Sequence, residues 1–195
     1  MTERKPELLA PAGSLEKMKT ALYFGADAVY VGGKNFSLRS FSDNFSEEEL
    51  REGISYAHAR GRKVYVAVNI YARGEDFPAL EEYLAFLQEA GADAALVSDP
   101  GVFLAARRAA PSLPLHISTQ ANTTNAYAAR FWREQGASRV VLARELSLKE
   151  IAAVHRAEPG LELEAFVHGA MCISYSGRCL LSDYLAGRPS NRGEC

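Results

Sequence analysis

A short motif occurs three times in this chain, and it constrains the fold more than any other feature. The copies begin at Gly25, Gly91 and Gly136 and read GADAVYVG, GADAALVS and GASRVVLA. Each copy follows an amphipathic stretch with helical periodicity. Its glycine suits the C-terminal cap of that helix, and a short apolar run typical of a strand comes next. The repeat therefore predicts successive helix–strand units.

The segments between the copies continue this alternation. Predicted strands cover Glu7–Ala10, Ala28–Val31, Lys63–Asn69, Ala94–Ser98, Leu115–Ser118, Arg139–Ala143 and Leu161–Phe166. Predicted helices cover Leu15–Phe24, Glu47–Arg60, Pro78–Ala90, Gly101–Ala109, Asn125–Gln135 and Leu148–Arg156. Ser46 and Ser147 are expected to cap two of the helices, and Ser147 forms a capping box with Glu150. Short apolar strands that alternate with helices predict a parallel sheet in an α/β fold.

Seven predicted strands are one fewer than a (β/α)₈ barrel requires. We therefore expect residues 1–195 to form an incomplete TIM-like (β/α) barrel, the N-terminal barrel domain of a longer protein whose eighth strand follows Cys195. The alternative is an open doubly wound sheet. That fold would need a glycine fingerprint for phosphate binding after the first strand, and residues 10–14 read APAGS instead.

Composition limits the function classes. The chain has 195 residues, of which 48% are apolar and 24% charged, as in a soluble domain with one core. Its net charge of −2 does not indicate a strongly basic nucleic-acid binder. The sequence contains neither an apolar run of about 18 residues nor a signal-peptide pattern, so we expect no membrane association and a cytoplasmic location.

Polar residues follow most of the predicted strands. In a parallel barrel the carboxyl ends of all strands meet at one rim, where active sites form. We therefore predict a pocket at this rim. The residues expected to line it are Arg39, Asn69, Asp99, Gln120, Asn122, Arg144 and His168.

Among the four histidines, His168 is the strongest candidate for function because it follows the last predicted strand. His116 lies within a strand and is expected to form a hydrogen bond in the core, while His58 and His155 are expected at the surface. The motifs HExxH, GxSxG and GxxxxGK[ST] are absent from the sequence, which excludes zincin proteases, α/β-hydrolase nucleophile elbows and P-loop proteins.

The three cysteines, Cys172, Cys179 and Cys195, all lie in the segment 164–195. Their clustering after an apolar run points to a metal site, an iron–sulfur cluster or redox chemistry rather than to packing. The spacing is wider than in zinc ribbons or bacterial ferredoxins, and it leaves a cluster and a nonspecific role equally open. A fourth ligand would come from beyond the chain, from His168 or from a small molecule.

Residues 164–172, EAFVHGAMC, and 177–182, GRCLLS, resemble the signature of the collagenase-like peptidase family, unassigned peptidase family thirty-two. The final NRGEC, the opening ELLAPAG, the GADAVYVGG block, Asn69 and the HISTQANTTN stretch are also similar to that family. The resemblance covers essentially the whole chain.

This resemblance implies several activities. The family name implies hydrolysis of peptide bonds. Some members resemble proteins that hydroxylate a tRNA uridine with prephenate, others a hydroxylase of an rRNA cytidine. A pair that acts in ubiquinone synthesis holds 4Fe-4S clusters through four cysteines. Carried over by position, Cys172, Cys179 and Cys195 match three of those ligands, and the fourth lies beyond this chain.

Three functions stay open on the sequence. The first is an iron–sulfur-dependent hydroxylase that modifies tRNA or another RNA, with His168, Glu164 and Arg144 as candidate catalytic residues and prephenate as co-substrate. The second is a peptidase with Cys172 as nucleophile and His168 as base. The third is a non-catalytic subunit that binds a paralogous protein partner.

Overall fold

The computed structural model describes residues 5–34, 36–37, 44–169, 174–176, 179 and 181–187. Its strands are β1 (Leu9–Ala12), β2 (Ala28–Gly32), β3 (Lys63–Val68), β4 (Ala94–Val97), β5 (Leu115–Ile117), β6 (Arg139–Val141) and β7 (Glu162–Glu164). Its α-helices are α1 (Leu15–Tyr23), α2 (Glu47–His58), α3 (Phe77–Ala90), α4 (Pro100–Ala109), α5 (Ala126–Gln135), α6 (Leu148–Ala157) and α7 (Leu181–Ala186). Short 3₁₀ helices span Gly74–Asp76 and Thr119–Ala121.

The strands form one parallel sheet in the order β1-β2-β3-β4-β5-β6-β7. A doubly wound sheet would reverse its strand order at a switch point, and this sheet does not. Alternate strand residues such as Val64, Val66 and Val97 pack with Met18 and Leu84 of the helices in the larger apolar cluster. The helices thus cover one face of the sheet.

The other face is concave and carries a second, smaller cluster around Tyr65, Leu96 and Val141. A hydrogen bond of 2.7 Å joins Arg139 of β6 to Glu7, just before β1. In a flat sheet these strands would lie roughly 24 Å apart, five strand spacings. The sheet is therefore curled, and the prediction of an incomplete parallel TIM-like barrel of seven strands is confirmed.

The repeated glycines end helices as predicted. Gly91 and Gly136 are left-handed caps of α3 and α5, with φ of +83° and +98°, and Gly25 has φ of +102° after α1. The capping box of Ser147 and Glu150 is confirmed, and Ser46 forms another with Glu49. From such local signals, most helix and strand ends were predicted to within a few residues.

Most elements have a boundary that differs from the prediction by one or two residues. β1 begins two residues later than Glu7, whose side chain accepts a hydrogen bond from Tyr65 inside the barrel. Pro11 lies within β1, which tolerates the missing N–H because it is an edge strand. α7 was not predicted. None of the helices within the described residues has the length and apolar character needed to cross a bilayer.

Candidate functional site at the carboxyl ends of the strands

Three polar side chains at the ends of β3 and β5 form a hydrogen-bonded chain. Asn69 Nδ2 donates to Ser118 Oγ at 3.4 Å, and Ser118 Oγ donates to Gln120 Oε1 at 3.0 Å. Ser98, after β4, donates its hydroxyl to the Asn69 carbonyl at 3.4 Å. The structure therefore brings the predicted rim residues Asn69 and Gln120 together. Their amide groups are held in fixed orientations next to the concave face.

A second network of hydrogen bonds, called the node below, lies at the ends of β5 and β6. It attaches residues 174–176, which lie between two of the cysteines, to the strand ends. Ser176 is fully buried, and its backbone N–H donates to Glu145 Oε1 at 3.0 Å. Its hydroxyl donates to Glu145 Oε2 at 3.0 Å and accepts from the Arg144 N–H at 3.3 Å. Thr119 Oγ1 lies 3.3 Å from the same hydroxyl and 3.2 Å from the Leu142 carbonyl. The segment 174–176 is thus attached to the rim.

The charge state of Glu145 fits this role. Burial acts to raise the pKa of the Glu145 carboxyl, but hydrogen bonds from its own backbone N–H and from Ser176 outweigh it and hold the pKa below its usual value. The group is therefore a carboxylate at neutral pH. A carboxylate only accepts hydrogen bonds, which matches the two donors that Ser176 presents.

Arg144 connects the same node to a cysteine. Its guanidinium donates to the Ser174 carbonyl at 3.0 Å. A hydrogen bond with the Ser174 side chain, together with the backbone N–H of Leu181, holds the pKa of the Cys179 thiol below its usual value. Cys179 is partly exposed and is not in a disulfide. Thiolate character and access are the properties that a metal ligand or a reactive cysteine needs.

The remaining predicted site residues take no part in these two hydrogen-bond networks. Asp99 caps α4 by accepting from the Val102 N–H at 3.0 Å. Asn122 adopts a left-handed conformation with φ of +54°, and its buried Oδ1 has no hydrogen-bond partner among the described residues. His168 is exposed just beyond β7. Three predicted site residues, Arg39, Cys172 and Cys195, lie outside the described residues.

Glu164 faces the inside of the barrel rather than the rim network. It lies 3.4 Å from Arg139, and burial raises the pKa of its carboxyl despite that cation. Arg139 also donates to Glu162 at 2.7 Å and to Glu7 at 2.7 Å. This ion cluster was not predicted from the sequence. Its signal was the alternation Glu162–Leu163–Glu164, which places both carboxylates on one face of a strand.

His116 lies next to this cluster on the concave face. Its ring contacts Tyr65 edge-on at 4.7 Å between centroids, and its buried Nδ1 has no hydrogen-bond partner among the described residues. Burial, assisted by the nearby Arg139, lowers the pKa of His116 to about 3. The expected core hydrogen bond is therefore absent at Nδ1, and the ring is held by packing as a neutral side chain.

A metal site cannot be assembled from the described part of the chain. No group of three His, Cys, Asp or Glu side chains there is placed to hold a metal ion. Of the three cysteines only Cys179 is described. The ligand set of Cys172, Cys179 and Cys195 therefore stays a prediction.

Comparisons with known proteins identify one family and several similar proteins. The model of the family described as peptidase family U32 matches residues 13–195. The chain is 50% identical over 192 residues to tRNA hydroxylation protein P1 of Bacillus subtilis (strain 168), covering 98% of this chain and 45% of that protein. It is 35% identical over 195 residues to the 23S rRNA 5-hydroxycytidine C2501 synthase of Escherichia coli (strain K12), covering 100% of this chain and 29% of that protein.

A solved structure of a U32 peptidase superposes with a TM-score of 0.73 at 17% identity, covering 99% of this chain and 78% of that one. At this identity the likeness bears on the fold alone. The chain spans less than half the length of the two curated relatives described above.

Proposed function

This chain belongs to peptidase family U32, and from that premise we propose that it is the barrel portion of an iron–sulfur-dependent enzyme that hydroxylates RNA, with a tRNA uridine as substrate. The observation that carries the proposal is the 50% identity to a tRNA hydroxylation protein across 98% of the chain. Relatives at that level of identity share a fold, and from it we expect the polar rim to serve related chemistry.

The geometry of the rim supports a binding site for a base or a small polar molecule. The chain of Asn69, Ser118 and Gln120 presents amide and hydroxyl groups at the carboxyl ends of two parallel strands. In barrel enzymes this end of the sheet holds the substrate. Amides read the edges of nucleobases because they offer both donors and acceptors.

Hydroxylation replaces a C–H bond of the base by a C–OH bond, which removes two electrons from the base. In the proposed reaction prephenate would be both the hydroxyl donor and the electron acceptor, because its own C–OH bond would be replaced by a C–H bond. A bound iron–sulfur cluster would relay electrons between the two. We propose Cys172, Cys179 and Cys195 as its ligands. The lowered pKa of Cys179 supports this assignment, since the thiolate is the form that binds iron. The fourth ligand would come from outside these residues.

Other parts of the proposal rest on the family resemblance. Prephenate would supply the hydroxyl oxygen, with Arg144 as a cation at the rim that suits its carboxylates. Arg39, Asp99, Asn122, Glu164 and His168 stay predictions for substrate binding or catalysis. A paralogous protein partner also stays a prediction.

The family label suggests peptide hydrolysis as the alternative. That reaction would need a nucleophile with a base in hydrogen-bond reach. His168 is exposed and its proposed partner Cys172 lies outside the described residues, so the preference for hydroxylation rests on the similarity to the tRNA hydroxylation protein.

Nucleoside mass spectrometry tests the proposal. RNA from cells that lack the gene is compared with RNA from cells complemented with the wild-type gene. We expect a uridine with one added oxygen atom in the tRNA of complemented cells only. An added oxygen found only in rRNA would show that the substrate is rRNA and not tRNA. No added oxygen in either RNA would reject hydroxylation. Hydrolysis of a fluorogenic collagen-like peptide by the purified protein would then support the alternative.

A further inference from the structure

The attachment of Ser174 and Ser176 to the rim uses a carboxylate that the neighbouring helix does not need for its cap. Glu145 lies between β6 and α6, and α6 already has its own capping box from Ser147 and Glu150. The carboxylate of Glu145 is therefore not used to satisfy the helix end. It instead accepts a hydrogen bond from Ser176, 31 positions further along the chain, which points to a role in positioning that segment.

The hydrogen bonds at Ser176 form a complete set. The residue has two donors, its N–H and its hydroxyl, and the two oxygens of Glu145 accept one each at 3.0 Å. The hydroxyl oxygen in turn accepts from the Arg144 N–H, and Thr119 Oγ1 lies beside it with the Leu142 carbonyl as a second acceptor. A side-chain carboxylate suits this arrangement because both of its oxygens accept, whereas a glutamine has one acceptor and would oppose one of the donors.

The node extends to the cysteine through Arg144. The Arg144 guanidinium holds the Ser174 carbonyl at 3.0 Å, and the Ser174 side chain is hydrogen-bonded to Cys179. Ser174 and Ser176 lie between Cys172 and Cys179 in the sequence. The contacts therefore act on the part of the chain that joins two of the proposed ligands.

We infer that Glu145 is a positioning residue, which with Arg144 clamps the segment 174–176 to the strand ends and so holds the cysteine-bearing segment in place before the cofactor binds. The inference rests on the proposed function for the identity of that cofactor. Ordering a segment before binding removes part of the entropic cost of binding. Partners outside the ligand shell of a metal commonly change its affinity by about 10–100-fold.

The test uses full-length protein and four variants. Glu145→Ala removes the carboxylate, Ser176→Ala removes the hydroxyl from the other side of the same contact, and Glu145→Gln keeps one acceptor. Glu82→Ala, at an exposed glutamate of α3, is the matched control. Thermal unfolding of each variant verifies that the barrel is folded.

Two quantities are measured. The first is hydrogen–deuterium exchange of the peptide that contains Ser174–Ser176, in protein without metal. The second is iron retention after anaerobic reconstitution with iron(II) and sulfide. We expect Glu145→Ala and Ser176→Ala to speed exchange in that peptide and to weaken iron retention by about tenfold or more, Glu145→Gln to lie between, and Glu82→Ala to match wild type.

The outcomes separate the inference from the proposed function. If wild type retains iron and Glu145→Ala retains it equally, with unchanged exchange, the positioning role is wrong while the proposed function stands. If wild type takes up no iron, the proposed cofactor is wrong and the positioning role for it is rejected as well. Iron loss in Glu145→Ala that Glu145→Gln partly restores supports the inference.

Discussion

Arg139 is the charged residue on which the inside of the barrel depends most. Its side chain is 9% exposed and is shared by Glu7, Glu162 and Glu164. Removing it leaves the largely buried carboxylates of Glu7 and Glu164 without compensation, whereas Glu162 is 63% exposed and stays solvated. We expect Arg139→Ala to lower the free energy of unfolding by about 3 kcal/mol.

Chemical denaturation of the variant and of a control measures this effect. Arg108 binds Glu81 with a side chain that is 77% exposed. Arg108→Ala should therefore cost no more than about 1 kcal/mol. Equal costs for the two variants would show that the interior cluster adds nothing beyond an exposed pair.

His116 predicts a pH dependence of stability. Its pKa is about 3 in the folded protein and returns to its ordinary value of 6.5 in the unfolded chain. As the pH falls below 6.5, the unfolded chain takes up a proton that the folded protein does not, so this group destabilises the fold progressively down to about pH 3. The slope approaches about 1.4 kcal/mol per pH unit.

The variant His116→Phe lacks this titration and keeps a ring against Tyr65. Urea denaturation of both proteins from neutral to acidic pH gives their difference in unfolding free energy. As the pH falls, the unfolding free energy of wild type should decrease relative to that of the variant. A constant difference over this range would contradict the assignment of a buried neutral imidazole.

At the scale of elements, the repeated glycines matter through their backbone conformation. Gly91 has φ of +83°, and a Cβ there would meet no atom closer than 3.9 Å. Gly91→Ala should therefore cost about 1–2 kcal/mol from strain alone. Gly74 has no positive φ and open space around it, so Gly74→Ala should cost little or stabilise slightly. Melting temperatures of the two variants compare them, and equal values would argue against strain at the cap.

How much of the molecule the sequence predicts depends on how local each signal is. Helix ends at Gly91 and Gly136 and the cap at Ser147 follow from a few neighbouring residues, and they were predicted. The clamp between Glu145 and Ser176 joins residues 31 positions apart, which no local pattern encodes. Asp99 shows a second role that was not predicted, since this polar residue after a strand also caps α4, while its place in a pocket stays a prediction.

At the scale of the whole molecule, the ion cluster and the candidate site lie at opposite ends of the strands of the curled sheet. The ion cluster of Glu7 and Arg139 stabilises the inside near the amino ends. The carboxyl ends carry the amide chain of Asn69 and Gln120 and the clamp of Glu145. Stability and chemistry can thus be altered separately by substitution.

The central claim is that the cysteine-bearing segment holds a cluster needed for RNA hydroxylation. Its most direct test is combined iron and sulfide analysis of anaerobically purified full-length protein, with nucleoside analysis of tRNA treated with it. We predict iron, sulfide and hydroxylated uridine for wild type, and loss of all three together for Cys172→Ser and Cys179→Ser. Serine variants that kept full iron content and full hydroxylation would contradict the claim and make these thiols structural.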